Sequence, residues 1–453
     1  MSPLPGRVST VVLLMLENRS FDHLLGHLRY ENLMPDVNGL DTNLAPYENV
    51  YQGTGYRLFQ LAPGWLSSDI PHEWNFVETQ LHYNPVTQQF DMNGFVQAYA
   101  DYTHTQPLNQ VDPMGFFKST DVPITSFLAQ NFLVCDSWHC PLPASTKPNR
   151  TMAFCGTSEI YASDKTLIPC PDLIFDWLTK SNVRWRVYHD GFSYFATYPR
   201  AWPYVLSDNF RDVESYFHDM QTEPLETSPQ VIIVEPSYYD APHIGPDHSN
   251  DNHPPLAIGW GEDFVRRIYQ AATVNPERWR STVMVYYYDE HGGFYDHVAP
   301  PAIPYQTRGN PSHSFGSLGP RVPAIVISPL VAAKSVSHEL FDHTSVLQFL
   351  AELFTPGTPY SADVNQRRSQ NIKSLSVVLG DTPRVDVPIM PTTPIQVASE
   401  LGGGIRTRPE NDLQVAFELA AEQLMVSKPN EMKQKYPDLF HWKAVVDDAR
   451  RNS

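Results

Sequence analysis

A series of short apolar runs, each stopping abruptly at polar residues, constrains this chain more than any other feature. Thr10–Leu16 reads Thr-Val-Val-Leu-Leu-Met-Leu and gives way at once to Glu17-Asn18-Arg19-Ser20. Thr282–Tyr288 reads Thr-Val-Met-Val-Tyr-Tyr-Tyr and gives way to Asp289-Glu290-His291-Gly292-Gly293. Runs over 131–135, 231–234 and 322–327 end at Asp136, Glu235-Pro236 and Ser328-Pro329, while 183–188 alternates more and reads as a strand near an edge. Unbroken apolar runs of this length suit strands buried on both faces, as in a parallel sheet. Amphipathic spacing between them predicts helices over 124–130, 171–180, 261–272 and Thr344–Phe354, the last capped by Asp342. Strands alternating with helices make the fold α/β, a mostly parallel central sheet flanked by helices.

Between the first two runs, 26–114 is rich in Asn, Tyr, Gln and Pro and reads as a long excursion walling one side of a site. The catalytic domain is read as 1–380. Residues 381–453 are read as a loop and helical extension packing on the core, with a Pro- and Gly-rich connector over 380–404 and a helix over 411–425.

In open parallel sheets, ligands bind beyond the carboxyl ends of the strands. Consecutive strand residues face opposite ways, so both members of Glu17-Asn18 and of Asp289-Glu290 can address one site only where the strand has just ended. Three carboxylates and an amide oxygen converging there call for a hard divalent cation. Either pair alone would ordinarily be loop acids or helix caps. Thr146 lies in Ala144-Ser-Thr-Lys-Pro148, where Pro148 favours a helix's first turn. A hydroxyl beside a helix N-terminus and a cation can attack phosphorus. In isolation the same residue would be an ordinary cap. His72 and His253, both in loop-like surroundings, are candidates to bind phosphoryl oxygens or protonate a leaving group. A lone histidine is more commonly surface or packing.

The net charge of −18 and the absence of a basic block exclude nucleic acid as a partner. No apolar run reaches the length of a membrane span or a signal-peptide core. The chain is therefore expected to be cytoplasmic or peripheral to a membrane, or secreted if a leader was removed. Cys135, Cys140, Cys155 and Cys170 fit no zinc spacing and leave disulfides and buried thiols equally open.

Three segments together resemble the phosphoesterase family of phosphatidylcholine-type and non-specific phospholipases C and related acid phosphatases. They are Leu16-Glu-Asn-Arg-Ser-Phe-Asp-His-Leu-Leu-Gly26, Thr146-Lys-Pro-Asn-Arg150 and Tyr288-Asp-Glu-His-Gly-Gly-Phe-Tyr-Asp-His297. The resemblance implies an alkaline phosphatase/sulfatase-like core. It implies a single divalent ion (Ca²⁺, Mg²⁺, Mn²⁺ or Zn²⁺) on Glu17, Asn18, Thr146, Asp289 and Glu290, with His72 and His253 flanking the phosphoryl group. The implied substrate is a phospholipid or another phosphate ester, cleaved through a phosphothreonine on Thr146, with at most peripheral membrane contact. An acid phosphatase acting on monoesters shares the same site, and an inactive lipid-binding module is the alternative of another class. A sulfatase is disfavoured, because Thr146 stands where formylglycine formation needs Cys or Ser. The sequence 338–343 is one residue too long for a zinc-protease His-Glu-x-x-His.

Overall fold

A computed structural model describes residues 4–43, 47–64, 66, 68–243, 249–392, 395, 408, 409 and 411–452. Its central sheet is built from β1 (Thr10–Leu16), β2 (Leu133–Cys135), β3 (Trp185–His189), β4 (Phe210–Asp212), β5 (Val231–Glu235), β6 (Thr282–Tyr288), β7 (Ala324–Ile327) and β8 (Ser335–Ser337). Across the sheet these eight lie in the order β4-β3-β5-β1-β6-β7-β2-β8. Every neighbouring pair is parallel except the two that involve β7. The sheet is thus mostly parallel, as expected, with one reversed strand. The alternating 183–188 segment forms β3, second from the edge formed by β4. Neither β4 nor β8 is legible in the sequence, since each is a short edge strand only partly buried and so carries no apolar run, unlike the equally short but fully buried β2.

β1 and β6 are buried at every position, which requires cover on both faces. Beside α1 (Trp74–Leu81) and α2 (Phe95–Thr103) of the excursion, helices that join the apolar core of the sheet supply it, among them α3 (Pro123–Asn131), α4 (Thr146–Cys155), α5 (Gly259–Thr273), α6 (Thr344–Phe354), α7 (Asp412–Ser427) and α8 (Pro437–Asn452). Adjacent tyrosines of β6 show the two layers. The Tyr286 hydroxyl lies 3.2 Å from Thr125 Oγ1 of α3, whereas the Tyr287 ring meets Trp138 and His343, at the start of α6. Asp342 accepts the Thr344 N–H at 2.7 Å, the expected cap.

The excursion is more ordered than its composition implies. α1, α2 and an antiparallel pair, Glu48–Tyr51 with Thr54–Arg57, enclose a small apolar cluster of their own, including Val77, Leu81, Phe95 and Val96. In the C-terminal extension, Leu413, Phe417, Leu424 and Trp442 join the same apolar core as the sheet. The connector expected over 380–404 lies largely outside the described residues. Cys155, the last residue of α4, is joined to Cys170, while Cys135 and Cys140 are buried free thiols. No helix of the described residues is long and apolar enough to cross a membrane.

The two helices on the α3 side are tied by one acid. Glu262, buried in the first turn of α5, accepts the Ile124 N–H at 2.6 Å, the Thr125 N–H at 3.2 Å and the Thr125 hydroxyl. Burial raises its pKa from 4.5 to about 7 despite these bonds. The folded chain therefore holds this proton more tightly than the unfolded chain. The stability it contributes is full below pH 4.5 and is lost as the pH rises towards 7. Glu262→Gln cannot titrate. Its stability relative to the parent, from denaturant unfolding, should increase between pH 4.5 and 7 and level off above. A pH-independent difference would refute the raised pKa.

Candidate active site

The carboxyl ends of β1 and β6 lie side by side, with Leu16 in register with Tyr288. The residues just beyond therefore meet. Asn18 takes a left-handed φ of 62°, which Asn tolerates well, and its N–H donates to Asp289 Oδ1 at 3.2 Å. Gly292 is required by this meeting. Its φ is 64°, and a Cβ there would lie 2.0 Å from the Asn18 carbonyl oxygen. Gly293 makes a comparable approach to the Pro71 carbonyl oxygen, which brings the excursion and His72 to the same place.

Thr146 is the first residue of α4, and its side-chain hydroxyl donates to Asn18 Oδ1 at 3.4 Å. Asn149 braces the entry to this helix, accepting the Leu142 N–H at 2.9 Å and donating to Ala144 O at 2.7 Å. Asn18 Nδ2 lies 3.3 Å from His72 Nε2, and His72 Nδ1–H donates to Ile70 O at 2.7 Å. The His253 ring lies 5.8 Å from that of His72, its Nδ1–H donating to Pro254 O. The structure thus brings Thr146, Asn18, His72 and His253 together.

The same helix presents Arg150 four residues, about one turn, after Thr146 and so on the same face. Its guanidinium lies 3.0 Å from Glu17 Oε1 and 3.0 Å from Asp289 Oδ2, and packs against the rings of Tyr194 and Tyr238. The Glu17 contact is an ion pair without hydrogen-bond alignment, because both Glu17 carboxylate oxygens lack a hydrogen-bond partner. Glu290 Oε1 and Asp240 Oδ2 are likewise buried and unpartnered. Asp289 differs: Arg150 engages one oxygen, and the N–H groups of Asn18 and Glu290 engage the other. His343 Nε2–H donates to the Asp289 carbonyl at 2.6 Å while its Nδ1 accepts from Trp138. Burial lowers the His343 pKa to about 3, so it stays neutral in this role.

Burial raises the Glu17 pKa well above the usual carboxylate range, although Arg150 pulls it down. Burial alone would lower His72, but Glu290, Asp69 and Glu73 carry it up to about 9. Buried carboxylate oxygens without hydrogen-bond partners, in a surrounding rich in negative charge, are chemically suited to a cation. By donor chemistry Glu17, Glu290 and the Asn18 amide oxygen suit a hard divalent ion, but Glu17, Asp289 and Glu290 do not bring their ligand atoms within 4.8 Å of one another among the described residues. Two tighter groupings adjoin them. The ligand atoms of Asp69, His72 and His253, and those of Glu17, Asp240 and His253, lie within 4.8 Å of one another.

Arg150, Asp240 and Asp69 are site residues that the sequence analysis did not single out. Arg150 had a signal, its spacing from Thr146 on one helix. Asp240 follows the end of β5, a strand beside β1, but four residues of loop intervene. Asp69 had none. A cavity of about 420 Å³ opens over Thr146, His72 and His253, walled by Asp69, Glu73, Trp74, Phe76, Tyr102, Asp240 and Asp412.

A family model described as the phosphoesterase family matches residues 8–355. The chain is 29% identical to non-specific phospholipase C3 of Arabidopsis thaliana, over 98% of this chain and 87% of the relative. It is 30% identical to the hemolytic phospholipase C of Pseudomonas aeruginosa, over 77% of this chain and 53% of that protein. Among solved structures, the phosphonate monoester hydrolase of Agrobacterium radiobacter matches with a TM-score of 0.31 at 12% identity, over 52% of this chain and 69% of the other. A 2-O GAG sulfatase matches at 0.34 and 14%, over 60% and 72%.

The Gly292 contact yields a direct test. Gly292→Ala would force a Cβ into the Asn18 carbonyl and a side chain into a left-handed conformation, costing about 2 kcal/mol or more. Denaturant unfolding should show that loss; an alanine variant as stable as the parent would refute this packing of the two strand ends.

Proposed function

The chain belongs to the phosphoesterase family, and from that premise we propose that it hydrolyses phosphodiesters in the manner of a phospholipase C. The substrate is a phosphatidylcholine-like glycerophospholipid, cut to diacylglycerol and a phosphorylated head group through a phosphothreonine on Thr146. The class, a hydrolase acting on phosphoric esters, follows from the family and from relatives named phospholipases C. One observation carries the finer reading: the Thr146 hydroxyl, at a helix N-terminus, faces Asn18 beside buried carboxylate oxygens that have no partner.

The ion would be held by Glu17, Asn18 and Glu290, with Asp289 and Thr146 completing the set. When bound, a divalent cation lowers the pKa of an attacking hydroxyl and offsets charge on the phosphoryl oxygens. The chain's own groups do the rest. The first turn of α4 directs N–H groups at an anion beside Thr146. Thr146 Oγ1 attacks phosphorus in line with the departing oxygen. His72 has its Nδ1–H fixed on Ile70, so Nε2 is the atom turned to the site, and with His253 it supplies the proton that the leaving alcohol needs. Water then attacks the phosphothreonine from the opposite side. Arg150 stays behind, clamping Glu17 and Asp289 where they can act.

The cavity wall favours the diester over the monoester. Asp69, Glu73, Asp240 and Asp412 repel a phosphomonoester dianion more strongly than a diester monoanion. The same acids with Trp74, Phe76 and Tyr102 suit a quaternary ammonium head group, which aromatic faces and carboxylates both attract.

Hydrolysis of p-nitrophenyl phosphorylcholine should exceed that of p-nitrophenyl phosphate and should be abolished by a chelator. Thr146→Ala should lower turnover at least about a thousandfold while the chain stays folded. Turnover by a folded Thr146→Ala chain would overturn the phosphothreonine. Preference for the monoester would move the substrate to that of an acid phosphatase, and a folded, metal-binding chain inert on both esters would favour a binding module.

A further inference from the structure

The last turn of α1 carries a glutamine whose one amide reaches both halves of the site. Gln80 is completely buried. Its Nε2 donates to Pro71 O at 2.6 Å, and its Oε1 lies 2.7 Å from His291 Nε2. A carbonyl can only accept, so the amide nitrogen faces Pro71 and Oε1 accepts from His291 Nε2–H. Pro71 precedes His72, and His291 follows Glu290, with its Nδ1 3.2 Å from Glu290 Oε2.

Packing alone does not call for an amide here. Val77 and Leu81, on the same helix, join the small apolar cluster of the excursion, and the Phe95 ring of that cluster lies 6.2 Å from the His291 ring. A buried amide in such surroundings costs stability unless it is hydrogen-bonded, and this one finds its partners beside His72 and Glu290. The bond from His72 Nδ1–H to Ile70 O fixes the ring to its own turn, not the turn to the site. Gln80, with Gly293 packed on the same Pro71 carbonyl, supplies that second link.

We propose that Gln80 is a positioning residue: its amide fixes the turn carrying His72 against the turn carrying Glu290, and so aims His72 Nε2 at the oxygen of the leaving alcohol. This rests on the reading of His72 as a proton donor in a phosphoesterase. The need for that proton depends on the leaving group. p-Nitrophenolate departs without it, whereas the alkoxide of diacylglycerol does not.

The experiment uses the full chain and Gln80→Met, which keeps the length of the side chain and removes both hydrogen bonds, with a melting curve for each. The substrates are a short-chain phosphatidylcholine and p-nitrophenyl phosphorylcholine. On the phosphatidylcholine, kcat should fall about 10- to 100-fold with KM within about threefold of the parent, as a proton donor misplaced by about 1 Å requires. That loss should exceed the loss on p-nitrophenyl phosphorylcholine by about tenfold or more. In the His72→Ala background, Gln80→Met should cost less than about threefold more. Gln80→Leu completes the cycle if Gln80→Met does not fold. Equal losses on the two substrates, additive losses with His72→Ala, or a kcat matching the parent would overturn the proposal. A parent that hydrolyses neither ester counts against the phosphoesterase reading alone. The crystal structure of Gln80→Met then decides: His72 displaced from Glu290 supports positioning, and an unchanged pair overturns it.

Discussion

The buried guanidinium of Arg150 is the interaction on which the site depends. Glu17 and Asp289 come from different strands, and neither could remain ionised in an apolar interior without a cation between them. Removing one partner of such a buried pair typically costs about 3–5 kcal/mol, because the charge left behind has no solvent. Arg150 meets that need with a planar fork that reaches both acids, and the adjoining rings of Tyr194 and Tyr238 pack against it. Tyr238 extends the chain by donating to Glu235 at 3.3 Å, so the ends of β1, β5 and β6 are joined through one side chain. What Arg150 leaves unsatisfied matters equally. It lies near Glu17 without meeting its hydrogen-bonding needs, and Glu290 Oε1 is likewise buried without a hydrogen-bond partner.

Much of this architecture was legible because burial on both faces leaves a plain mark in sequence. β1 and β6 coincide with their apolar runs end to end, and the polar residues beyond them are the ones that meet. Thr146 was legible through Pro148 and the helix it starts. β4 and β8 were not, since short edge strands that are only partly buried leave no apolar run. The excursion over 26–114 was read as mainly irregular because its two helices bury narrow stripes against a small separate cluster, and composition averages such stripes away. The choice of His72 and His253 among the 17 histidines came from family resemblance and not from any physical signal. Asp240 and Asp69 reach the site from loops, where neither alternation nor spacing encodes direction. The sequence likewise treated the four strand-end residues as equivalent ligands, whereas hydrogen bonding separates them: Asp289 is largely occupied by N–H donors, and Glu17 and Glu290 are not.

The extension beyond the family-matched residues differs in kind from an appended module. Its apolar residues are continuous with the core of the sheet, and its first helical turn grips an acid at the site. The cavity is consequently walled from three parts of the chain: the excursion, the loops after the strands, and α7.

The place of β1 in the sheet has a consequence for how the molecule comes into being. It is the first strand made, yet its two neighbours are β5 and β6, whose residues emerge more than two hundred positions later. Until then the most apolar strand of the N-terminal region has no partner on either edge. Contacts so distant along the chain close slowly, because the loop entropy is spent before any burial repays it. A nascent chain must therefore carry an exposed, aggregation-prone segment through most of its synthesis, which is the circumstance chaperones serve.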